Sequence, residues 1–177
     1  MKAGQDLSLR SQIVTLDRIS DALALLPRLG GWISAALILV VLALITYSIA
    51  LRYFFGTPLE WTEELVGYTV VALVSCGLSD ALIRQRHIAI DLLTNQLPQR
   101  RQVYVALIGS LATLAVALVW VWSTWETTEF NRAFCLYSNG DLEAPIWITQ
   151  VPLVIGAGLL VLASLSILIK LMAEVSK

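Results

Sequence analysis

The stretch that decides the fold is residues 52–91, which read RYFFGTPLEWTEELVGYTVVALVSCGLSDALIRQRHIAID. It opens on an aromatic and acidic turn that contains Trp61, Glu63 and Glu64, and it closes on a basic turn that contains Arg84 and Arg86. About twenty mostly apolar residues separate the two turns, which is the length that an α-helix needs to cross ~30 Å of hydrocarbon. The stretch therefore predicts a membrane-spanning helix with chemically unequal ends.

The composition of the whole chain agrees with a membrane protein. Of the 177 residues, 58% are hydrophobic and 14% are charged, whereas a soluble domain has about 45–50% apolar and about 25% charged residues. The net charge of −1 and the lack of a run of Lys and Arg give no indication of a nucleic-acid partner. The first 31 residues do not resemble a secretory signal, so the first apolar run is expected to remain as a span.

Four segments are long and apolar enough to cross a bilayer: residues 32–51, 64–83, 103–122 and 146–171. The alternating ten-residue strands of a closed barrel are lacking, and helices are the other structure that can span a membrane. The sequence predicts an all-α integral membrane protein with four transmembrane helices in a domain of residues 32–171. The segment between the last two spans, residues 123–145, is predicted to be the longest loop on the outer side.

The basic residues predict the orientation of these helices. Ten of the twelve Lys and Arg residues lie in the N-terminal arm, in the second connection or at the C-terminal end, and only Arg52 and Arg132 lie in the first and third connections. Because cytoplasmic loops carry the excess of basic residues, both termini and the second connection are predicted to be cytoplasmic. Residues 172–177 are then a short cytoplasmic tail.

Residues 1–31 are predicted to form a separate arm. Apolar side chains recur there at steps of three or four, at Leu9, Ile13, Leu16, Ile19, Leu23 and Leu26. This stripe predicts an amphipathic helix in the cytoplasmic interface that ends near Pro27 and turns at Gly30 and Gly31. Packing of the same stripe against a partner's cytoplasmic surface is the alternative.

The chain offers few groups for catalysis. It has one histidine, no Cys, His and carboxylate set with metal-ligand spacing and no glycine-rich phosphate loop. We therefore expect no catalytic, cofactor or metal site and disfavour an enzyme. Asp80 is the one acid predicted within a span, and Arg84 at i+4 can pair with it. A paired interfacial Asp is one interpretation, and the essential carboxylate of a small homo-oligomeric four-helix transporter is the other.

Small residues predict how the spans pack. They recur in two stripes, Gly67, Val71, Ser75 and Ser79 in the second span and Gly109, Thr113 and Ala117 in the third. Such faces let helix backbones approach closely in lipid. A pair between Arg52 and Glu64 at the outer boundary is a further hypothesis, because a desolvated charge favours an opposite partner.

Part of the sequence resembles the small membrane subunit of tripartite ATP-independent periplasmic (TRAP) transporters. The resemblance is carried by Arg52 with its aromatic-Gly turn, by PLEWTEEL at 58–65, by Gly77, by RHIAIDL at 86–92, by LPQRR at 97–101 and by PIW at 145–147. It covers about a third of the chain closely and departs from the family at Asp80, where members usually have a small or apolar residue.

The resemblance implies a supporting role in sodium-driven uptake of an organic acid or similar solute across a bacterial inner membrane. In that family a large membrane subunit carries the substrate, a periplasmic protein delivers it, and the small subunit braces the large one and helps to dock the binding protein. The residues then expected at an interface with either partner are Arg52, Trp61, Glu63, Glu64, Glu126, Glu129, Asp141 and Glu143. Arg86, His87 and Asp91 would shape the cytoplasmic turn.

Overall fold

The computed structural model describes residues 2–57, 59–84 and 99–175, and these residues form four α-helices. The helices are α1 (Lys2–Phe55), α2 (Trp61–Arg84), α3 (Gln99–Ala133) and α4 (Ile146–Val175). Each contains a segment long and apolar enough to cross a membrane: Ser20–Phe55, Trp61–Arg84, Tyr104–Ala133 and Ile146–Met172. The predicted class, an all-helical protein with four candidate spans, is confirmed.

Helix α4 lies at the centre of the arrangement. It packs against α1, α2 and α3, and α1 also packs against α2, whereas α3 packs against α4 alone within the part of the chain that is described. We call the end of the bundle that contains the start of α2 the Glu64 end, and the opposite end the Asp80 end. At the Asp80 end the Lys170 ammonium of α4 lies 2.7 Å from the Asp21 carboxylate of α1.

Small side chains form the contacts between the helices. The fully buried residues include Ala117, Ala157 and Ala163, and the serines at 20, 79 and 164 are as deeply buried. These serines are compatible with an apolar surrounding because a helical serine hydroxyl can donate to a carbonyl of the preceding turn, as Ser164 does to Leu160 at 2.8 Å. The large apolar side chains point outward instead, as expected for helices whose surroundings are apolar.

The predicted small-residue stripes are confirmed only in part. Ser75 and Ser79 are buried, but Gly67 and Val71 of the same stripe are exposed. In α3 the buried positions repeat every seven residues, at Ser110, Ala117, Thr124 and Asn131, and of the predicted α3 stripe only Ala117 is fully buried. The packed face of α2 therefore uses only the second half of the predicted stripe, and that of α3 shares only Ala117 with the predicted one.

The predicted break between an N-terminal arm and the first span is wrong. Helix α1 runs without interruption through Pro27 and through Gly30 and Gly31. The two glycines serve as contact points: a Cβ on Gly30 would lie 2.8 Å from the Cys76 carbonyl oxygen, and one on Gly31 would overlap the Asp80 side chain. Close approach of α2, and not a turn, explains why glycine suits these positions. Interfacial placement of the first 31 residues remains a prediction.

The predicted loop at 123–145 is also shorter than expected, because α3 continues to Ala133. The C-terminal end of α3 is fixed by two backbone hydrogen bonds, from the Leu136 N–H to the Asn131 carbonyl and from the Cys135 N–H to the Arg132 carbonyl. Cys135 has a left-handed conformation, with φ 48°. The two bonds form the hydrogen-bond pattern of a Schellman cap. Sequence reasoning missed it because the left-handed position usually holds glycine.

Candidate functional site

The structure places two polar clusters at opposite ends of α2. We call Glu64, Tyr68, Ser138 and Leu142 the Glu64 cluster, and Gly31, Ser79, Asp80 and Arg84 the Asp80 cluster. The predicted turn residues Arg86, His87 and Asp91 lie outside the described residues. Elsewhere, in residues 2–57, 59–84 and 99–175, no group of three or more His, Cys, Asp and Glu side chains is arranged to hold a metal ion.

The Glu64 cluster joins the start of α2 to the connection between α3 and α4. One carboxylate oxygen of Glu64, Oε1, accepts from the Tyr68 hydroxyl at 2.5 Å and from the Ser138 hydroxyl. The other, Oε2, accepts from the Leu142 backbone N–H at 3.2 Å. The carboxylate therefore binds three donors, two of which lie more than seventy residues away in the sequence.

The α3–α4 connection, residues 134–145, is folded on itself at this point. Its two sides are joined by bonds from the Ser138 N–H to the Ala144 carbonyl (2.9 Å) and from the Ile146 N–H to the Leu136 carbonyl (3.0 Å). At the tip, the Glu143 N–H donates to the Gly140 carbonyl at 3.2 Å. These bonds give a short two-stranded loop, which we call the 134–145 loop, with its tip over the start of α2.

Sequence reasoning identified Glu64 but not the partners that it has. The predicted pair with Arg52 is not formed: the Arg52 side chain is exposed, and the donors to Glu64 are those of its own helix and of the loop. The sequence SNGD at 138–141 is typical of a turn. Its contact with a residue 74 positions earlier cannot be predicted in this way, because no local pattern encodes that distance.

The other residues expected at an interface lie around the same end of the bundle. Glu63, Glu126, Glu129, Asp141 and Glu143 are exposed, and Trp61 is half-buried. The exposed acids have no role within the described fold that the structure reveals. Whether they contact a partner stays a prediction.

A second set of contacts at this end fastens α3 to α4. The Asn131 side-chain amide donates to the Gln150 side-chain oxygen at 2.8 Å, and the Arg132 guanidinium lies 5.8 Å from the centre of a Trp147 ring. Asn131 is buried, so its amide needs a partner within the protein. Neither Asn131 nor Gln150 was identified from the sequence, and the two lie on either side of the 134–145 loop.

The Asp80 cluster confirms the predicted i,i+4 pair. The Arg84 Nε lies 2.7 Å from Asp80 Oδ2, with Asp80 nearly buried and Arg84 largely exposed. The second oxygen, Oδ1, is buried and has no hydrogen-bond partner among the described residues. Gly31 of α1 lies against the other side of this side chain, next to Oδ2. The cluster holds one acid, one exposed base, a serine and a glycine, which is too small a set to form a path across the bilayer.

Four long apolar helices that contact one another through small residues define the class as a multi-pass membrane protein. Residues 41–174 match the family described as tripartite ATP-independent periplasmic transporters, DctQ component. The chain therefore belongs to this family, which is a family of small permease subunits and not of enzymes.

Individual relatives carry related names. The chain is 33% identical over 73 residues to the sialic acid TRAP transporter permease protein SiaT of Haemophilus influenzae, a match that covers 41% of this chain and 12% of that protein. It is 28% identical over 108 residues to the C4-dicarboxylate TRAP transporter small permease protein DctQ of Vibrio cholerae, covering 59% and 46%. It is 24% identical over 108 residues to the sialic acid TRAP transporter small permease protein SiaQ of Vibrio cholerae, covering 61% and 62%. The chain thus matches less than two thirds of the length of each of these relatives.

Proposed function

We propose that this chain is the small permease subunit of a TRAP-type secondary uptake system in a bacterial inner membrane. In this role it braces a large transport subunit and helps to dock a periplasmic substrate-binding protein. The observation that carries the proposal is the family match over residues 41–174, which spans residues 41–55 of α1 and nearly all of the three helices that follow.

The bracing role is supported by surface that the chain does not bury itself. Between Ala35 and Phe55 of α1 no side chain is buried, although this is the most apolar part of the helix. In α3 only the stripe that faces α4 is buried, and large side chains such as Ile108, Val116 and Val119 are exposed. Apolar surface of this extent needs lipid or a second membrane protein to cover it. In our proposal the large subunit covers part of it.

The docking role is supported by the chemistry of the Glu64 end. Exposed acids and aromatic side chains lie there, whereas the basic residues favour the opposite side as cytoplasmic. The Glu64 end would then face the periplasm, where a binding protein approaches.

We further propose that the transported solute is a small organic acid and that a sodium gradient drives its uptake. Two of the similar permeases carry sialic acid or C4-dicarboxylate in their names, and both solutes are carboxylates. Among the described cations of this chain, Arg52 and Arg84 lie at helix ends and are exposed, and Lys170 is already paired with Asp21. Substrate and sodium would therefore be bound by the large subunit.

Reconstitution tests the proposal. The affinity-tagged chain is co-expressed with a candidate large subunit and a candidate binding protein from the same organism, and the purified complex is placed in liposomes. We expect co-purification of the large subunit and uptake of radiolabelled sialic acid or succinate that requires an inward sodium gradient, the binding protein and both membrane subunits. Uptake by this chain alone, or a complex of full activity without it, would contradict the proposal.

A further inference from the structure

We infer that Glu64 is a positioning residue that holds the 134–145 loop in the one conformation that a partner protein recognises, and that it does so without touching the partner. The part of this inference that concerns docking rests on the proposed function. It differs from the sequence-based expectation, in which Glu64 itself was a contact residue. The argument starts from what the carboxylate already binds.

The Glu64 carboxylate is committed to its own chain. Oε1 accepts from two hydroxyl groups, those of Tyr68 and Ser138, and Oε2 accepts from the Leu142 N–H. Hydrogen bonds to an ionised acceptor are about twice as strong as those between neutral groups. A partner that bound Glu64 directly would have to break these bonds, so the carboxylate is poorly placed to be a docking contact.

The hydrogen bonds between the 134–145 loop and α2 that the structure shows are both made by Glu64. Its internal bonds join its own two sides, and its ends are held by α3 and α4. Helix α3 does not pack against α2 in the described regions. The hydrogen bonds of the Glu64 cluster therefore connect the start of α2 to the loop. Removal of the carboxylate would leave the loop folded on itself but free to swing away from α2.

Gly140 shows how closely the two parts fit. A Cβ at this position would overlap the Glu64 carboxylate, although Gly140 is itself exposed to solvent on its other side. A side chain at 140 would therefore separate the loop tip from the carboxylate, by displacing either the tip or the end of the Glu64 side chain. The contact between Glu64 and the loop tip can thus be disrupted by a substitution at Glu64 or by a substitution at Gly140, which gives two independent tests.

The loop tip shows signs of being held in a selected conformation. Glu143 has φ 41°, a left-handed conformation that is unfavourable for a non-glycine residue. The side chains of Asp141, Leu142 and Glu143 are all exposed. The tip thus offers two acids around an apolar side chain, which is complementary to a basic surface with an apolar centre. Fixing such a segment before binding removes part of the ordering cost of association.

The first measurement follows the loop without any partner. Amide hydrogen exchange is recorded on the complex of this chain with its large subunit, for Glu64→Ala, Glu64→Gln and the control Glu63→Ala, which removes an exposed neighbouring carboxylate. We expect exchange at the Leu142 amide to rise at least tenfold in Glu64→Ala and less in Glu64→Gln, which keeps one acceptor oxygen. Glu63→Ala should leave it unchanged. Unchanged exchange in Glu64→Ala would overturn the inference.

The second measurement links the loop to docking. In liposomes that hold both membrane subunits, uptake is measured against the concentration of solute-loaded binding protein. We expect Glu64→Ala and Gly140→Ala each to raise the half-saturating concentration at least fivefold while the maximal rate stays within twofold. A defect that was only structural would instead lower the maximal rate or the yield of complex.

The two outcomes that would refute the docking step are distinct from failure of the proposed function. A half-saturating concentration that is unchanged although loop exchange is faster would show that docking ignores the loop. An equal effect of Glu60→Ala, which removes an exposed carboxylate outside the predicted interface residues, would show that charge, and not position, matters. If the unaltered complex took up no solute with any binding protein, the proposed function would fail, while the exchange measurement would still test Glu64 as a positioning residue.

Discussion

Replacement of Gly156 by alanine should destabilise the protein through the contact between α4 and α2. A Cβ at this position would lie 2.5 Å from the Cβ of Ser75 and 2.6 Å from both the carbonyl carbon and the carbonyl oxygen of Ser75. Two of these three atoms are backbone, so no side-chain rotation can relieve the overlap. Since non-bonded carbon atoms prefer separations of about 3.5–4.0 Å, the helices would have to move apart locally by about 1 Å.

The size of the effect follows from two opposing terms. Overpacking of a close contact costs about 1–3 kcal/mol, and replacement of a helical glycine by alanine returns up to about 1 kcal/mol of helix propensity. Gly158 separates the two terms, because it lies in the same helix and has nothing within 4 Å of its Cβ position. Gly158→Ala gains the propensity term without the overlap. The difference between the variants should therefore equal the overpacking term alone, about 1–3 kcal/mol.

The assay is reversible unfolding in bicelles, followed by tryptophan fluorescence on the three proteins side by side. We expect the free energy of unfolding to be lower for Gly156→Ala than for Gly158→Ala by the stated amount, and the complex with the large subunit to lose stability in the same order. Equal free energies for the two variants would refute the reasoning, since they would mean that α4 and α2 do not approach each other as closely as the structure has them.

Three further perturbations have expected outcomes. Asp80→Asn should change the free energy of unfolding by less than about 1 kcal/mol, because the charged partner of Asp80 is largely exposed. Uptake by the assembled complex should persist, and loss of uptake would favour a carboxylate pathway in this chain. Asn131→Ala and Gln150→Ala, combined in a double-mutant cycle, should give a coupling energy of about 1 kcal/mol for their bond, and additive effects would show that the bond contributes nothing. Asp21→Asn should remove up to about 1 kcal/mol of the link to Lys170 at low salt and almost none in 1 M salt; a loss independent of salt would argue against an ionic contact.

The course of α1 shows where local sequence signals mislead. Proline followed by two glycines predicts the end of a helix, yet Pro27 is fully buried within α1. Proline breaks helices in water because it leaves a carbonyl without its donor. In a bundle the packing of neighbouring helices can outweigh that loss, and Gly30 and Gly31 are selected by the proximity of α2. The sequence shows the spacing of Pro27, Gly30 and Gly31, but it does not show that α2 packs against this part of α1.

The sequence by itself determined the class of the protein, the number of its candidate spans and the family to which residues 41–174 belong. These properties depend on hydrophobic length and on short ordered motifs, which are local and can be counted along the chain. The i,i+4 pair of Asp80 and Arg84 was predictable for the same reason, since helical periodicity alone brings the two side chains together.

Only the tertiary structure decided which helix faces meet and what Glu64 does. The contact of Glu64 with Ser138 and Leu142 joins residues more than seventy positions apart, and the choice among several small-residue stripes depends on which neighbour approaches each helix. In lipid, apolar side chains gain little by facing inward, so hydrophobicity does not mark the packed face. Close backbone approach and the pairing of polar groups mark it instead, and both are properties of the assembled helices.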